Sequence, residues 1–178
     1  MKIDGGMMGD LAQSGQQAAK LEALGYNGVV TAEMAHDPFF PLLLAAQETQ
    51  SVELTTSIAV AFSRTPMNLA NIGHDLNSFS KGRFVLGLGS QIRPHITKRF
   101  SMPWSKPAAR MREFISAMRA IWACWHDGTP LQFDGDFQHF WIHLEKPVFL
   151  LNFQVNRSNW LCIYIRNIGY WQHLGQAD

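Results

Sequence analysis

Residues 52–89, VELTTSIAVAFSRTPMNLANIGHDLNSFSKGRFVLGLG, decide the fold. VELTTSIAVAF (52–62) is rich in β-branched and apolar side chains and lacks clean polar alternation. A strand covered on both faces reads this way. Thr65-Pro66 opens a helix over 66–80, because proline suits the first helical turn, and Lys81-Gly82 follows its end. RFVLGLG (83–89) is then another buried strand. Two buried strands joined by a helix make a βαβ unit, and such a unit implies a parallel sheet.

Working outward, the same rhythm recurs. DLAQSGQQAAKLEAL (10–24) places Leu11, Ala18, Leu21 and Leu24 near helical spacing, with Gly25 placed to stop the helix. NGVVTAE (27–33) reads as a strand. Asp37 is a candidate N-cap for a helix beginning at Pro38 and running through FFPLLLAAQETQ. Residues 2–8 supply a short first strand. Over 107–126, Met111, Phe114, Ile115, Met118, Ile121, Trp122 and Trp125 recur at i, i+3, i+4, i+7, which predicts a long amphipathic helix between Pro107 and Gly128. Strand then helix, repeated four times, predicts an α/β fold. An open doubly wound sheet and a barrel both satisfy that pattern. The first strand has no G-x-G-x-x-G turn, and Gly87-x-Gly89 lacks the third glycine, so a dinucleotide-binding fingerprint is unsupported.

Composition excludes several classes. With 178 residues, 47% of them apolar, the chain can bury a core, and a formal net charge of +1 offers no strong field for nucleic acid or an anionic membrane. Cys124 and Cys162 lie outside any C-x-x-C spacing, which argues against a zinc site or disulfide framework and fits a reducing cytosol. MKIDGGMMGD lacks the apolar run of a signal peptide, and no stretch of 18 apolar residues is present, so a soluble cytoplasmic protein is expected.

Parallel sheets place their chemistry at the C-terminal strand ends. Four ends are readable: Gly5, Gly6, Met7 and Met8; Glu33, His36 and Asp37; Ala61, Phe62, Ser63 and Arg64; and Gly87, Gly89, Ser90, Gln91, Arg93 and His95. Glycines there let a flat ring or phosphate approach the backbone, and His36 supplies a titratable donor near neutral pH. The plainer alternative is that the glycines serve tight turns, Asp37 caps a helix and His36 is a solvated loop residue. His139 and His143 have i, i+4 spacing without the carboxylate of HExxH, and no GxSxG elbow occurs, so metal and serine-hydrolase readings are set aside. Arg93, Lys98 and Arg99 form a positive loop that suits an anionic cofactor tail, or is simply solvated.

TAEMAHDPFFPL, LTTSIAVAFSRTPMNLA and SKGRFVLGLGSQIRPHITKRFSMPWSKPAARMREFISAMRAIWACW, taken in order, resemble the luciferase-like monooxygenase superfamily, and within it the oxidoreductases that use the deazaflavin coenzyme F420. The resemblance covers roughly residues 1–137. It implies a (β/α)8 barrel, here its four N-terminal βα units, with the ring of F420, or alternatively FMN, at the strand ends. It implies hydride transfer to or from a small organic substrate, with an FMN-dependent monooxygenase as the alternative. His36 matches the histidine that faces the reactive ring, with Glu33 and Asp37 orienting or polarising it. The resemblance also implies a bulge with a non-prolyl cis peptide at the place of Val60, Ala61 and Phe62. Gly6, Met7, Gly87, Gly89, Ser90 and Gln91 complete the implied cofactor-binding set.

After GDF (135–137) the family pattern fades. The expected division is therefore 1–137, an N-terminal half barrel, and 138–178, a divergent tail in which PVFLL (147–151) and WLCIYI are candidate strands. A truncated or frameshifted reading frame accounts for the tail, as does a shortened relative. Half a barrel leaves apolar strand edges and faces, which favours a homo-oligomer, most simply a dimer. A non-catalytic remnant that binds flavin weakly, or acts only as an interaction fragment, is the competing expectation.

Overall fold

The structure is a computed structural model, and it describes residues 1–142. Helices begin and end where local chemistry dictates. Asp10 accepts the Ala12 N–H at 3.1 Å, a 3-10 turn spans Leu11–Gln13, and α1 follows over Ser14–Ala23. Asp37 Oδ1 accepts the Phe39 N–H at 2.8 Å, at the start of α2 (Phe39–Glu48). Thr65 Oγ1 accepts the Asn68 N–H at 3.2 Å to start α3 (Pro66–Phe79). The fourth helix, α4, runs Pro107–Asp127 and stops at Gly128, whose left-handed backbone (φ 67°) returns its N–H to Cys124 O at 2.9 Å.

The strands are shorter than the apolar runs that contain them. They are β1 (Asp4–Gly6), β2 (Gly28–Thr31), β3 (Glu53–Thr56), β4 (Ala59–Val60), β5 (Phe84–Val85) and β6 (Leu88–Gly89). All pair in parallel: β1-β2-β3-β5 form one sheet, and β4-β6 continue it beyond two interruptions. Between β3 and β4 the Ser57–Ile58 peptide is cis, ahead of the Val60–Phe62 segment for which that feature was expected. Between β5 and β6 the Thr56 hydroxyl donates to Gly87 O (2.8 Å) and accepts the Gly87 N–H (2.9 Å), so a side chain replaces ladder bonds there. The order of strands in space is their order along the chain, without the reversal that defines a doubly wound sheet. The four N-terminal βα units of a barrel are the architecture present.

One side of the sheet carries the core. Val29, Leu54 and Phe84 lie in register and are buried with Leu42, Leu69, Phe114 and Ile121 from the helices. The opposite row, Gly6, Val30, Thr55 and Val85, is half-buried or exposed. At the N-terminal ends of the strands Arg83 spreads its donors over Ala46 O, Thr49 O, Thr49 Oγ1, Val52 O and Ser80 O, at 2.9–3.0 Å. Burial depresses its pKa, with the Glu22 charge opposing.

An antiparallel hairpin, β7 (Leu131–Asp134) and β8 (His139–Ile142), follows α4 and crosses the expected 137/138 division. The sequence pattern predicts parallel units alone, and this antiparallel pair departs from it. Glu113 on α4 holds its turn, accepting the N–H groups of Asp136, Phe137 and Gln138 at 2.6–2.9 Å. Residues 147–151 and WLCIYI, the candidate strands of the tail, lie outside the described residues. Among the described residues no helix is long and apolar enough to cross a membrane.

Candidate active site

The C-terminal strand ends are tied to one another directly. Met7 N donates to Val30 O at 2.9 Å, joining the ends of β1 and β2. Glu33, just past β2, accepts the Val60 N–H at 2.7 Å and donates its own N–H to Ile58 O at 3.1 Å. Val60 in turn pairs with Gly89. The turn after β6, a single π-helical turn over His95–Arg99, sends Arg99 Nη2 to the carbonyl of Met34. The loops leaving β1, β2, β4 and β6 thus form one continuous rim.

His36 stands on that rim, exposed, between Glu33 and Asp37. Among the described residues it hydrogen-bonds to nothing, so neither carboxylate contacts the imidazole. Both acids face Arg64 instead. Arg64 Nη1 lies 2.6 Å from Glu33 Oε2 and Nη2 lies 2.8 Å from Asp37 Oδ2. The Glu33 side chain is 4% exposed and that of Arg64 17%. Burial opposes the charge on Arg64, but hydrogen bonds and attraction from Glu33 and then Asp37 outweigh it and raise the guanidinium pKa.

The remaining expected residues fall into two groups. Gly6 is exposed, and a Cβ added there meets nothing within 4 Å, so open space adjoins the end of β1. Ser90 and Gln91 are half-buried on the loop leaving β6, where Gln91 takes a left-handed φ of 58°. Met7, Val60, Ala61, Phe62, Gly87 and Gly89 are buried. The Phe62 ring packs on Trp104 (centroids 5.9 Å apart) and under the Arg110 guanidinium (4.4 Å), and both polar backbone groups of Gly87 serve the sheet. These residues shape the floor beneath the rim. Arg64 was recognised only as part of a strand end. Its pairing with acids 27 and 31 positions away has no local sequence signal. Among the described residues no cluster of three or more His, Cys, Asp or Glu suits a metal.

A parallel sheet wound in chain order, with polar side chains gathered at its C-terminal strand ends, is the arrangement of a (β/α)8 barrel. The chain belongs to the luciferase-like monooxygenase family, whose sequence pattern matches residues 3–151. It is 59% identical over 137 residues to an uncharacterized protein of Mycobacterium tuberculosis, a match covering 77% of this chain and 40% of that protein. It is 36% identical over 117 residues to another Mycobacterium tuberculosis protein, provisionally named a coenzyme F420-dependent oxidoreductase, covering 63% and 34% of the two chains. The chain therefore spans about two fifths of the length of the curated relatives it matches first.

Solved structures share the fold. The coenzyme F420-dependent tetrahydromethanopterin reductase from Methanopyrus kandleri superposes with a TM-score of 0.65 at 16% identity, over 78% of this chain and 44% of that one. The oxygenating constituent of 3,6-diketocamphane monooxygenase from Pseudomonas putida, solved with FMN, gives a TM-score of 0.67 at 16% identity, over 79% and 44%.

Proposed function

We propose that these strand ends form one side of a coenzyme F420-binding site in an oxidoreductase acting on a small organic substrate. The observation that carries the reading is the placement of His36: exposed, free of hydrogen bonds to the described residues, and on the same rim as the open space beside Gly6. The likeness to a protein named for F420 dependence supports the choice of deazaflavin.

The residues present suit a flat, partly apolar ring. Gly6 offers backbone without a side chain in the way, and the half-buried Val30, Thr55 and Val85 continue that face. The bound deazaflavin supplies hydride chemistry that no side chain can provide. The protein's share is positioning and proton handling. A ring nitrogen of His36 would accept or return the proton that accompanies hydride loss or gain at the substrate carbon. Val60, Ala61 and Phe62 close the floor to water.

The test is a fluorescence titration of the purified chain with F420 and, separately, with FMN. Saturable F420 binding in the micromolar range is expected, with any turnover lost on His36→Ala while stability is kept. Absence of F420 binding up to about 100 μM sinks the reading, and tighter binding of FMN than of F420 replaces the deazaflavin.

A further inference from the structure

We infer that Arg64 is the positioning residue for His36, acting through Glu33 and Asp37. The inference rests on the reading of His36 as the proton-handling group. Arg64 lies just beyond β4, on a different connection from the loop it engages. Its planar guanidinium presents two NH2 groups in fixed geometry. Nη1 reaches Glu33 Oε2 (2.6 Å), Ser63 Oγ (3.1 Å) and Val60 O (3.2 Å), and Nη2 reaches Asp37 Oδ2 (2.8 Å). The face of the Phe39 ring lies 5.4 Å from its central carbon.

Each acid has a second anchor that does not involve His36. Glu33 Oε2 also accepts the Val60 N–H, and Asp37 Oδ1 accepts the Phe39 N–H. The segment 33–37 is thereby pinned at both ends, to β4 on one side and to α2 on the other, with His36 inside the span. One guanidinium serves both pins. A lysine ammonium, a single point charge on a flexible stem, cannot reproduce that fork. The acids flanking His36 therefore act on its location, while their charge is spent on Arg64.

The test reads His36 directly. In protein labelled with 13C and 15N at histidine, the His36 Cε1–H resonance is identified by its loss in His36→Gln. Arg64→Met is expected to shift or broaden that resonance and to speed amide exchange about tenfold at Glu33 and Phe39, whose N–H groups are bonded to Ile58 O and Asp37 Oδ1, well below its own melting temperature. Arg64→Lys is expected to lie between it and the wild type. A folded Arg64→Met protein with lower stability but an unmoved His36 resonance and unchanged exchange overturns the inference and leaves Arg64 a simple structural ion pair. Where Arg64→Met does not fold, Asp37→Asn keeps an oxygen for the Phe39 N–H and weakens only the Arg64 contact. A shifted His36 resonance and roughly threefold faster exchange at Glu33, whose N–H is bonded to Ile58 O, are expected there, and the absence of both overturns the inference equally. Titration of the wild type with F420 and FMN separates the two levels. Failure of both to bind sinks the proposed function while the spectra still judge Arg64, whereas binding with His36 unmoved sinks the role of Arg64 alone.

Discussion

A carboxylate oxygen of Glu33 accepts the backbone N–H of Val60 at 2.7 Å, joining the end of β2 to a strand that has just resumed after an interruption. Val60 is fully buried, so without Glu33 its N–H needs another partner or remains unsatisfied. The same oxygen carries the ion pair with Arg64. One atom thus satisfies a buried donor and a largely buried cation.

Removal of Glu33 leaves the buried Val60 N–H without its acceptor and Arg64 with Asp37 as its remaining carboxylate partner, and a buried donor that loses its partner costs more than the bond contributed net. Glu33→Ala is expected to destabilise by about 3 kcal/mol, measured by urea unfolding. Glu33→Gln keeps an oxygen for Val60 but loses the charge opposite Arg64, and a loss of about 2 kcal/mol is expected. Equal stability of Glu33→Ala and the wild type removes Glu33 from the framework of the rim.

A second carboxylate predicts a pH dependence. Glu22 accepts the N–H groups of Gln50, Ser51 and Val52 together with the Ser51 hydroxyl, at 2.6–3.1 Å. Burial alone would raise its pKa, but these donors outweigh it and lower the value from 4.5 to about 2. The folded value is below the unfolded one, so the stabilisation is complete above about pH 4.5 and is lost as pH falls toward 2. Glu22 is partly exposed, and solvent screening limits the effect to on the order of 1 kcal/mol. Melting temperatures across pH 2–6 are expected to fall less steeply for Glu22→Gln than for the wild type. Parallel curves would falsify the assignment.

Much of this framework was legible along the chain because it is written in local chemistry. Thr65-Pro66 and Gly128 mark helix ends by capping and backbone conformation as expected, while α2 begins one residue later than expected, with Pro38 at the cap position and Asp37 accepting the Phe39 N–H from just before it. The strands were overextended because their breaks are tertiary. Nothing within residues 52–62 announces that the Thr56 hydroxyl will occupy the Gly87 backbone groups. Arg64 was visible, but its fork depends on acids that only the β2-to-β4 approach delivers. The hairpin was a different failure. Asp134-Gly135 is a turn signal, and Leu131, Gln132, Phe133 and Asp134 alternate from more to less buried, yet the aromatic run after Phe137 masked the period of two. Phe133 and Phe140 pair across it, with ring centroids 6.5 Å apart.

Arg83 yields a prediction about stability alone. Its contacts satisfy carbonyls at the C-terminal ends of α2 and α3 and at the start of β3, all at the end of the sheet opposite His36. The N-terminal strand ends of a parallel barrel lie away from the catalytic face and serve stability. Arg83→Met leaves several carbonyls without a donor and is expected to destabilise by about 3 kcal/mol in urea unfolding. Cofactor affinity of the folded protein is expected to stay within a factor of about 2, since no rim residue moves. A large loss of affinity with stability intact would place Arg83 in the site.

Gly6 and Gly28 separate space reserved for a ligand from space required by the fold. A Cβ at Gly28 falls 2.6 Å from Asp4 Oδ1 and 3.2 Å from the backbone oxygen of Glu53, so the exposed Asp4 carboxylate must rotate away and the Glu53 carbonyl must yield by a few tenths of an ångström. Gly28→Val is therefore expected to lower stability by about 1–3 kcal/mol. At Gly6 nothing lies within 4 Å of the added carbon, and valine suits a strand. Gly6→Val is expected to keep its melting temperature within about 2 °C of the wild type. The added isopropyl group nevertheless projects into the space proposed for the ring, and affinity for F420 is expected to fall at least about tenfold, a loss of ~1.4 kcal/mol. Measured side by side, the two variants should show opposite profiles: Gly28→Val unstable with its residual folded fraction still binding, Gly6→Val stable and deficient in binding. Undiminished F420 binding by Gly6→Val would show that the ring does not approach the end of β1, and the site would have to be sought further along the rim, toward Ser90 and Gln91.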